Sequence, residues 1–182
     1  MKIYKYHKIN VYLLHSLRKK EHWCSRVDLL NDPYEQFYID KTEGVVYKNF
    51  TDGLCVCCFS KNMDEILMWS HYTDNHTGVC LEFDIDYDKF KEWLIEIDYN
   101  DDLTVLDKVE LREDGSLILN VQTNGRFLKT KFTNWSYEQE MRLIIIPKEK
   151  NKSGTVAKYL GDLTAIYFGK RANKDDIDLV KF

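Results

Sequence analysis

Apolar and polar positions alternate over Ile3-Tyr4-Lys5-Tyr6, which predicts a short strand. The period changes over residues 8–19, where Ile9, Leu13, Leu14 and Leu17 share one face and Lys8, Arg18, Lys19 and Lys20 fringe it. That is an amphipathic helix of about three turns. Trp23 to Val27 reads as a second strand, and Asn31-Asp32-Pro33 is a break followed by a helix from Tyr34 to about Asp40. The run Leu54-Cys55-Val56-Cys57-Cys58-Phe59 is apolar without interruption, as a strand buried on both faces requires. Residues 64–73 have helical spacing (Ile66, Leu67, Trp69, Ser70), and Gly78 to Phe83 forms the next strand.

An acidic helix from Tyr87 to Leu94 leads into a strand at Ile95 to Tyr99. Ser116 to Thr130 has mixed propensity and reads as a helix, whereas Glu140 to Ile146 is a strand stopped by Pro147. After a polar loop from Lys148 to Gly154, short strands follow at Val156–Tyr159 and Ala165–Phe168. No internal repeat and no Ser- or Pro-rich linker divides the chain. Most strands lie too close together for crossover helices between them. The pattern therefore predicts an α+β fold over 1–182 as a single domain. Its sheets are mostly antiparallel or mixed, in one or two sheets, with three to five helices.

Composition narrows the function classes. Of 182 residues, 44% are hydrophobic and 31% charged, which excludes a disordered or low-complexity chain. The formal charge of −4 excludes a broadly basic surface, so a nucleic acid would need a local groove such as one around Arg126, Lys129 and Lys131. No uncharged apolar run is long enough to cross a bilayer, and the N-terminus has no secretory pattern. The expectation is a protein with no membrane partner. Five cysteines, three of them at Cys55, Cys57 and Cys58, read as core thiols in a reducing cytoplasm. On a strand Cys57 and Cys58 would point to opposite faces and could not join His71 and His76 at one ion, so no metal is expected.

Three clusters carry chemistry. Asn31-Asp32-Pro33-Tyr34-Glu35 has the form of a helix capping box, with Asp32 at the cap and Glu35 reaching back. The same cap would hold Asn31 and Glu35 beside a pocket. On a strand, Glu138, Glu140 and Arg142 share one face while Met141, Leu143 and Ile145 enter the core. Two carboxylates so placed can stabilise a developing cation and position an acceptor. The alternative is a solvent-facing ladder in which Arg142 neutralises Glu140. Trp69, Tyr72 and Ser60 form the third cluster, as core-edge aromatics or ligand-stacking rings and as a helix-capping or ligand-binding hydroxyl.

Taken together, several segments resemble a bacterial family known as domain of unknown function 2971. They are Tyr4-Lys5-Tyr6, Asn31-Asp32-Pro33-Tyr34-Glu35, Cys58-Phe59-Ser60, Met68-Trp69-Ser70-His71-Tyr72, Gly78 to Phe83 and Trp135 to Leu143. The resemblance runs from residue 4 to about Gly169 and implies a closing helix and strand beyond Phe182. A second resemblance is to ADP-ribosyltransferases of the arginine-serine-glutamate type. Lys5 stands where that family has a basic residue on an early strand, Ser60 where a strand ends in serine, and Glu138-Gln139-Glu140 where Glu-x-Glu heads an apolar strand. Lys5 replaces the usual arginine, and Asn31 to Glu35 has no counterpart there.

The second resemblance implies an enzyme that consumes NAD as a co-substrate. Glu140 and Glu138 would be catalytic, and Lys5, Tyr6, Asn31, Glu35, Ser60, Trp69, Tyr72 and Arg142 would bind the dinucleotide. It also implies a protein or nucleic-acid acceptor, a toxin or phage-defence role, and an antitoxin or defence-complex partner. Two other readings stay open: a non-catalytic nucleotide- or peptide-binding module, and a metal-dependent nuclease using Asp32, Glu35, Glu138 and Glu140.

Overall fold

A computed structural model describes residues 1–32, 34, 37–41, 44, 46–48, 54–106, 128–147 and 153–181. The expected helix at Ser116 to Thr130 falls almost wholly outside them, as do Glu35 and Arg126.

The fold is α+β, built on an eight-stranded antiparallel sheet. Strand β1 is Lys2–His7, α1 Val11–Lys19, β2 Glu21–Arg26, β3 Phe37–Asp40, β4 Val46–Lys48 and β5 Cys55–Ser60. Next come α2 (Ile66–Tyr72), β6 (Val79–Ile85), α3 (Tyr87–Phe90), β7 (Leu94–Glu96), β8 (Asp98–Tyr99) and β9 (Thr104–Leu106). The remainder is β10 (Thr130–Lys131), a 3₁₀ turn (Thr133–Glu138), β11 (Glu140–Ile145), β12 (Gly154–Lys158), β13 (Gly161–Phe168) and α4 (Lys174–Val180). The large sheet has the order β12-β2-β5-β1-β6-β13, with β11 paired to β5 and β7. Two small sheets, β10-β8 and β4-β3-β9, accompany it.

Helix α1 begins at Val11 rather than Lys8, because the Asn10 side chain accepts from the Tyr12 and Leu13 N–H groups, both at 3.0 Å. It ends at Lys20, which is left-handed. Its Leu13 enters the main core with Ile3, Cys57, Phe59, Leu81, Phe83, Met141 and Val180. On the opposite face of the sheet, Met68 of α2 packs on Tyr6 and Cys80.

The helix expected from Tyr34 to Asp40 does not run through residues 37–40. Asp32 accepts from the Tyr34 N–H at 2.9 Å, so the cap is real, but residues 37–40 are strand β3. The β-prone Phe37-Tyr38-Ile39 instead pairs with β4 and, in parallel, with β9. Tertiary pairing overrides the local helix signal here. The strand expected at Ile95 to Tyr99 is divided between β7, on the large sheet, and β8, on β10. The helix expected from Tyr87 to Leu94 stops at Phe90.

Strand β5 organises the centre. Its full length pairs with β11, from Cys55↔Ile145 to Ser60↔Glu140. Its other edge is shared: β2 takes Cys55 and Val56, while β1 takes Ser60. Between them β1 and β2 diverge, leaving a fork at residues 57–59 that has no ladder partner on that edge among the described residues.

Candidate functional site

A cleft of about 240 Å³ opens over that fork. Lys5, Tyr6, Asn31, Ser60, Tyr72, Glu138, Glu140 and Arg142 all line it, together with Lys131 and Cys58. Residues far apart in the chain are thus collected at one cleft. Trp69 is not in the lining. Its indole donates to the Met63 carbonyl at 2.9 Å and meets the Tyr6 ring edge-on at 5.3 Å, so it packs the wall from behind.

The two glutamates reach the cleft by different routes. Glu140 is the first residue of β11, on the face of Arg142 and Cys58. Glu138 is not on the strand: it ends the 3₁₀ turn, and Gln139, at φ +43°, swings the chain into β11. Ser60 secures this corner by donating to the Glu138 carbonyl at 2.7 Å while accepting the Asn62 N–H at 2.9 Å. Its hydroxyl anchors backbone. The Glu140 N–H is held by the Tyr99 hydroxyl at 2.8 Å.

The carboxylates do not face solvent, which overturns the surface-ladder alternative. Glu138 and Glu140 are 3% and 4% exposed, and Arg142, at 1%, is among the largest fully buried side chains. Arg142 is forked on Glu140, Nε to Oε1 at 2.7 Å and Nη2 to Oε2 at 2.9 Å. Lys131 donates to Glu138 Oε2 at 2.5 Å and Glu140 Oε2 at 3.2 Å, bridging both acids, and sits 4.8 Å from the Trp135 ring centroid. Among the described residues two anions and two cations meet here, a balance that burial favours.

The acids are electrostatically unequal. Burial opposes ionisation of Glu140, but Arg142 and Lys131 outweigh it and hold that carboxyl well below the usual range. At Glu138 burial wins: with Glu140 nearby, its carboxyl is pushed up despite Lys131 and the Tyr72 hydroxyl, which donates to Oε1. Asn31 Nδ2 in turn donates to the Tyr72 oxygen at 2.6 Å. A relay Asn31–Tyr72–Glu138 therefore lines the cleft, with Asn31 exposed at its outer end.

Lys5 lines the same cleft, but its ammonium is engaged at the fork, donating to the Cys58 carbonyl at 3.0 Å and Cys57 Sγ at 3.2 Å. It does not reach the carboxylates. Tyr6 likewise directs its hydroxyl to the Asn62 carbonyl at 2.9 Å. Lys131, read from sequence as part of an exposed basic groove, is 3% exposed and central to the cluster. Only the pairing of β10 with β8, remote in sequence, puts it there, so no local pattern could have found it. Tyr99 arrives the same way.

The Lys131 ammonium takes the position between Glu138 and Glu140 that a bridging divalent cation would need, and Asp32 turns its Oδ1 to the Tyr34 N–H. Among the described residues no group of three or more His, Cys, Asp or Glu side chains gathers to hold a metal ion. No described helix is long and apolar enough to cross a membrane.

Residues 68–143 match the family described as Protein of unknown function (DUF2971). The resemblance read from the motifs is thereby shown over that span, which contains α2 from Met68 onward, Tyr72, Lys131 and both glutamates. No curated protein and no solved structure matches the chain.

Proposed function

We propose that the cleft binds NAD and that the protein is an NAD-consuming ADP-ribosyltransferase or glycohydrolase, with Glu138 as the reacting carboxyl group. The observation that carries this reading is the inequality of the two glutamates: Glu140 is saturated by Arg142 and Lys131, whereas Glu138 has a raised carboxyl within a relay leading out to Asn31. Expelling nicotinamide leaves an oxocarbenium-like ribose, which a fixed carboxylate stabilises. A carboxyl with a raised proton affinity can also take the proton of the incoming nucleophile.

In this reading Glu140 and Arg142 position the cluster, and the first role shifts from Glu140 to its neighbour. A cleft of about 240 Å³ is below the range of about 300–1,000 Å³ usual for whole ligands, so it suits the nicotinamide–ribose half, with the remainder along its mouth. Tyr72 and Asn31 would line that half. An effector of this class, toxin or phage defence, modifies a macromolecule, protein or nucleic acid. Its antitoxin or defence-complex partner would have to cover this cleft to restrain it.

One observation favours a non-catalytic nucleotide-binding module instead. Each charge in the cluster is already answered by another, an arrangement suited to orienting a ligand without turnover. Purified protein incubated with labelled NAD and a cell lysate separates the two readings. Nicotinamide release that is lost in Glu138→Gln, with thermal stability retained, supports the enzyme, and the labelled macromolecule names the acceptor. Calorimetric binding of NAD without release supports the module, and absence of both excludes NAD as the ligand.

A further inference from the structure

Asn31 stands exposed at the cleft mouth, and the relay behind it fixes which way its amide faces. Glu138 accepts from Lys131 on Oε2 and from the Tyr72 hydroxyl on Oε1. Having given its one proton to Glu138, the Tyr72 oxygen can only accept. The Asn31 atom that faces it at 2.6 Å is therefore the amide nitrogen, which donates. That bond uses one of the two Nδ2 hydrogens. The second N–H and Oδ1 have no partner among the described residues.

The rim beside this amide is apolar. Leu29 and Leu30, next to Asn31 in the chain, line the cleft with Met68, and Leu29 is 57% exposed. The cations of the cleft are turned inward: Lys131 and Arg142 hold the glutamates, and Lys5 holds the Cys58 carbonyl. A donor and an acceptor side by side on an apolar rim suit a neutral group that returns one of each. A primary carboxamide does so. A carboxylate returns two acceptors and sets one of them against Oδ1, where no proton lies between. The 6-amino and N7 edge of adenine has the same donor–acceptor pattern as the carboxamide.

We propose that Asn31 is the specificity-determining residue of the cleft, selecting a carboxamide over a carboxylate, so that the protein takes NAD and refuses its nicotinic acid counterpart. This rests on the NAD reading above and extends it. Of the two donor–acceptor edges in NAD, the carboxamide is the one assigned to Asn31, because the cleft volume suits the nicotinamide–ribose half. Tyr72, bonded to both Asn31 and Glu138, ties this choice of head group to the reacting carboxyl.

The test is calorimetric titration of the full-length protein with three dinucleotides: NAD, nicotinic acid adenine dinucleotide, and nicotinamide hypoxanthine dinucleotide, whose base lacks the 6-amino group. NAD is expected to bind about tenfold more tightly than the nicotinic acid form, the scale of one matched hydrogen bond replaced by a repulsive contact. The hypoxanthine form is expected within about twofold of NAD, since no bond to the amino group is lost. Asn31→Ala and Asn31→Asp both lose the bond to Tyr72, but Asp keeps an acceptor at the mouth. The preference for NAD should collapse in Asn31→Ala and persist in Asn31→Asp, whereas a residue that only holds Tyr72 in place gives both variants the same ratio. Equal binding of NAD and the nicotinic acid form by the unaltered protein, a loss that falls on the hypoxanthine form, or the same ratio in both variants overturns the assignment and leaves NAD as the ligand. Binding of none of the three overturns the NAD reading and this assignment together.

Discussion

Arg142 is locked to Glu140 through two donors, at 2.7 and 2.9 Å, with both side chains withdrawn from water. Breaking such a buried pair costs about 3–5 kcal/mol, because an uncompensated charge is left behind. The two halves of this pair should not cost the same. Arg142→Met leaves Lys131 facing two acids, and Glu138, already pushed up, can take a proton to restore neutrality. Glu140→Gln leaves Glu138 as the one acid that Lys131 and Arg142 share in the cluster among the described residues, and protonating Glu138 would only add to the imbalance. Urea unfolding at pH 7 should find Glu140→Gln the more destabilising by about 1 kcal/mol or more, on the scale of one pKa unit. Lowering the pH should recover part of the loss only in Arg142→Met. Equal losses with parallel pH dependence would rule out this account.

Tyr72 joins the cluster to the cleft mouth, donating to Glu138 and accepting from Asn31. Tyr72→Phe removes both bonds at a cost of about 1–2 kcal/mol. Because the Tyr72 bond lowers the Glu138 carboxyl, its loss raises that carboxyl further. If Glu138 acts as a base, the acid limb of nicotinamide release shifts to higher pH in this variant. A limb that stays in place would separate Tyr72 from the reacting group.

How much of this was legible in the sequence follows from which contacts are local. The strands at 54–59 and 140–146 were readable because both are apolar runs long enough to decide their own state. Their pairing, which sets Ser60 opposite Glu140, is a long-range contact that neither run specifies by itself. Asn31, Tyr72 and Arg142 were also named in advance and do line the cleft. The β3 segment was misread because its capping signal at Asp32 is genuine but is outvoted by strands β4 and β9, which lie elsewhere in the chain. Lys131 was missed for the same reason, and the direction of the Lys5 ammonium depends on a fork that no linear pattern encodes.

Gly78 provides a backbone test. A glycine can serve either a left-handed turn or a close approach, and at Gly78 only the second applies: positive φ falls on Asp74, Asn75 and His76 instead. A Cβ at Gly78 would stand 2.1 Å from the His7 carbonyl oxygen and 2.9 Å from Thr73 Cβ. Gly78→Ala therefore forces β1 and the end of α2 apart, and a loss of about 2–3 kcal/mol is expected, as for other overpacked sites. Gly44→Ala meets nothing within 4 Å and carries only the strain of φ +67°, about 1 kcal/mol. Thermal unfolding of the two variants should rank them in that order.

His22 sets the acid side of the stability profile. Its ring is 1% exposed, packed against Phe59, Phe83 and Tyr159, and neither nitrogen has a hydrogen-bond partner. Burial, then the charge of Lys5 and His7, brings its pKa down to about 2. An unfolded histidine titrates near 6.5, so as the pH falls through that value the unfolded chain gains a proton that the native ring refuses. Stability is therefore full above about pH 6.5 and declines on acidification by about 1.4 kcal/mol per pH unit for this residue. His7, held down to about 3 by burial and Lys5, adds a second contribution of the same sign. Replacing His22 by Phe removes one of the two and leaves no orphaned nitrogen. Urea unfolding should then show a gain of about 2 kcal/mol at pH 5 relative to the unaltered protein, beyond any difference at pH 8. If the variant's stability falls as steeply with acid as the parent's, His22 is not the neutral core histidine that its packing indicates.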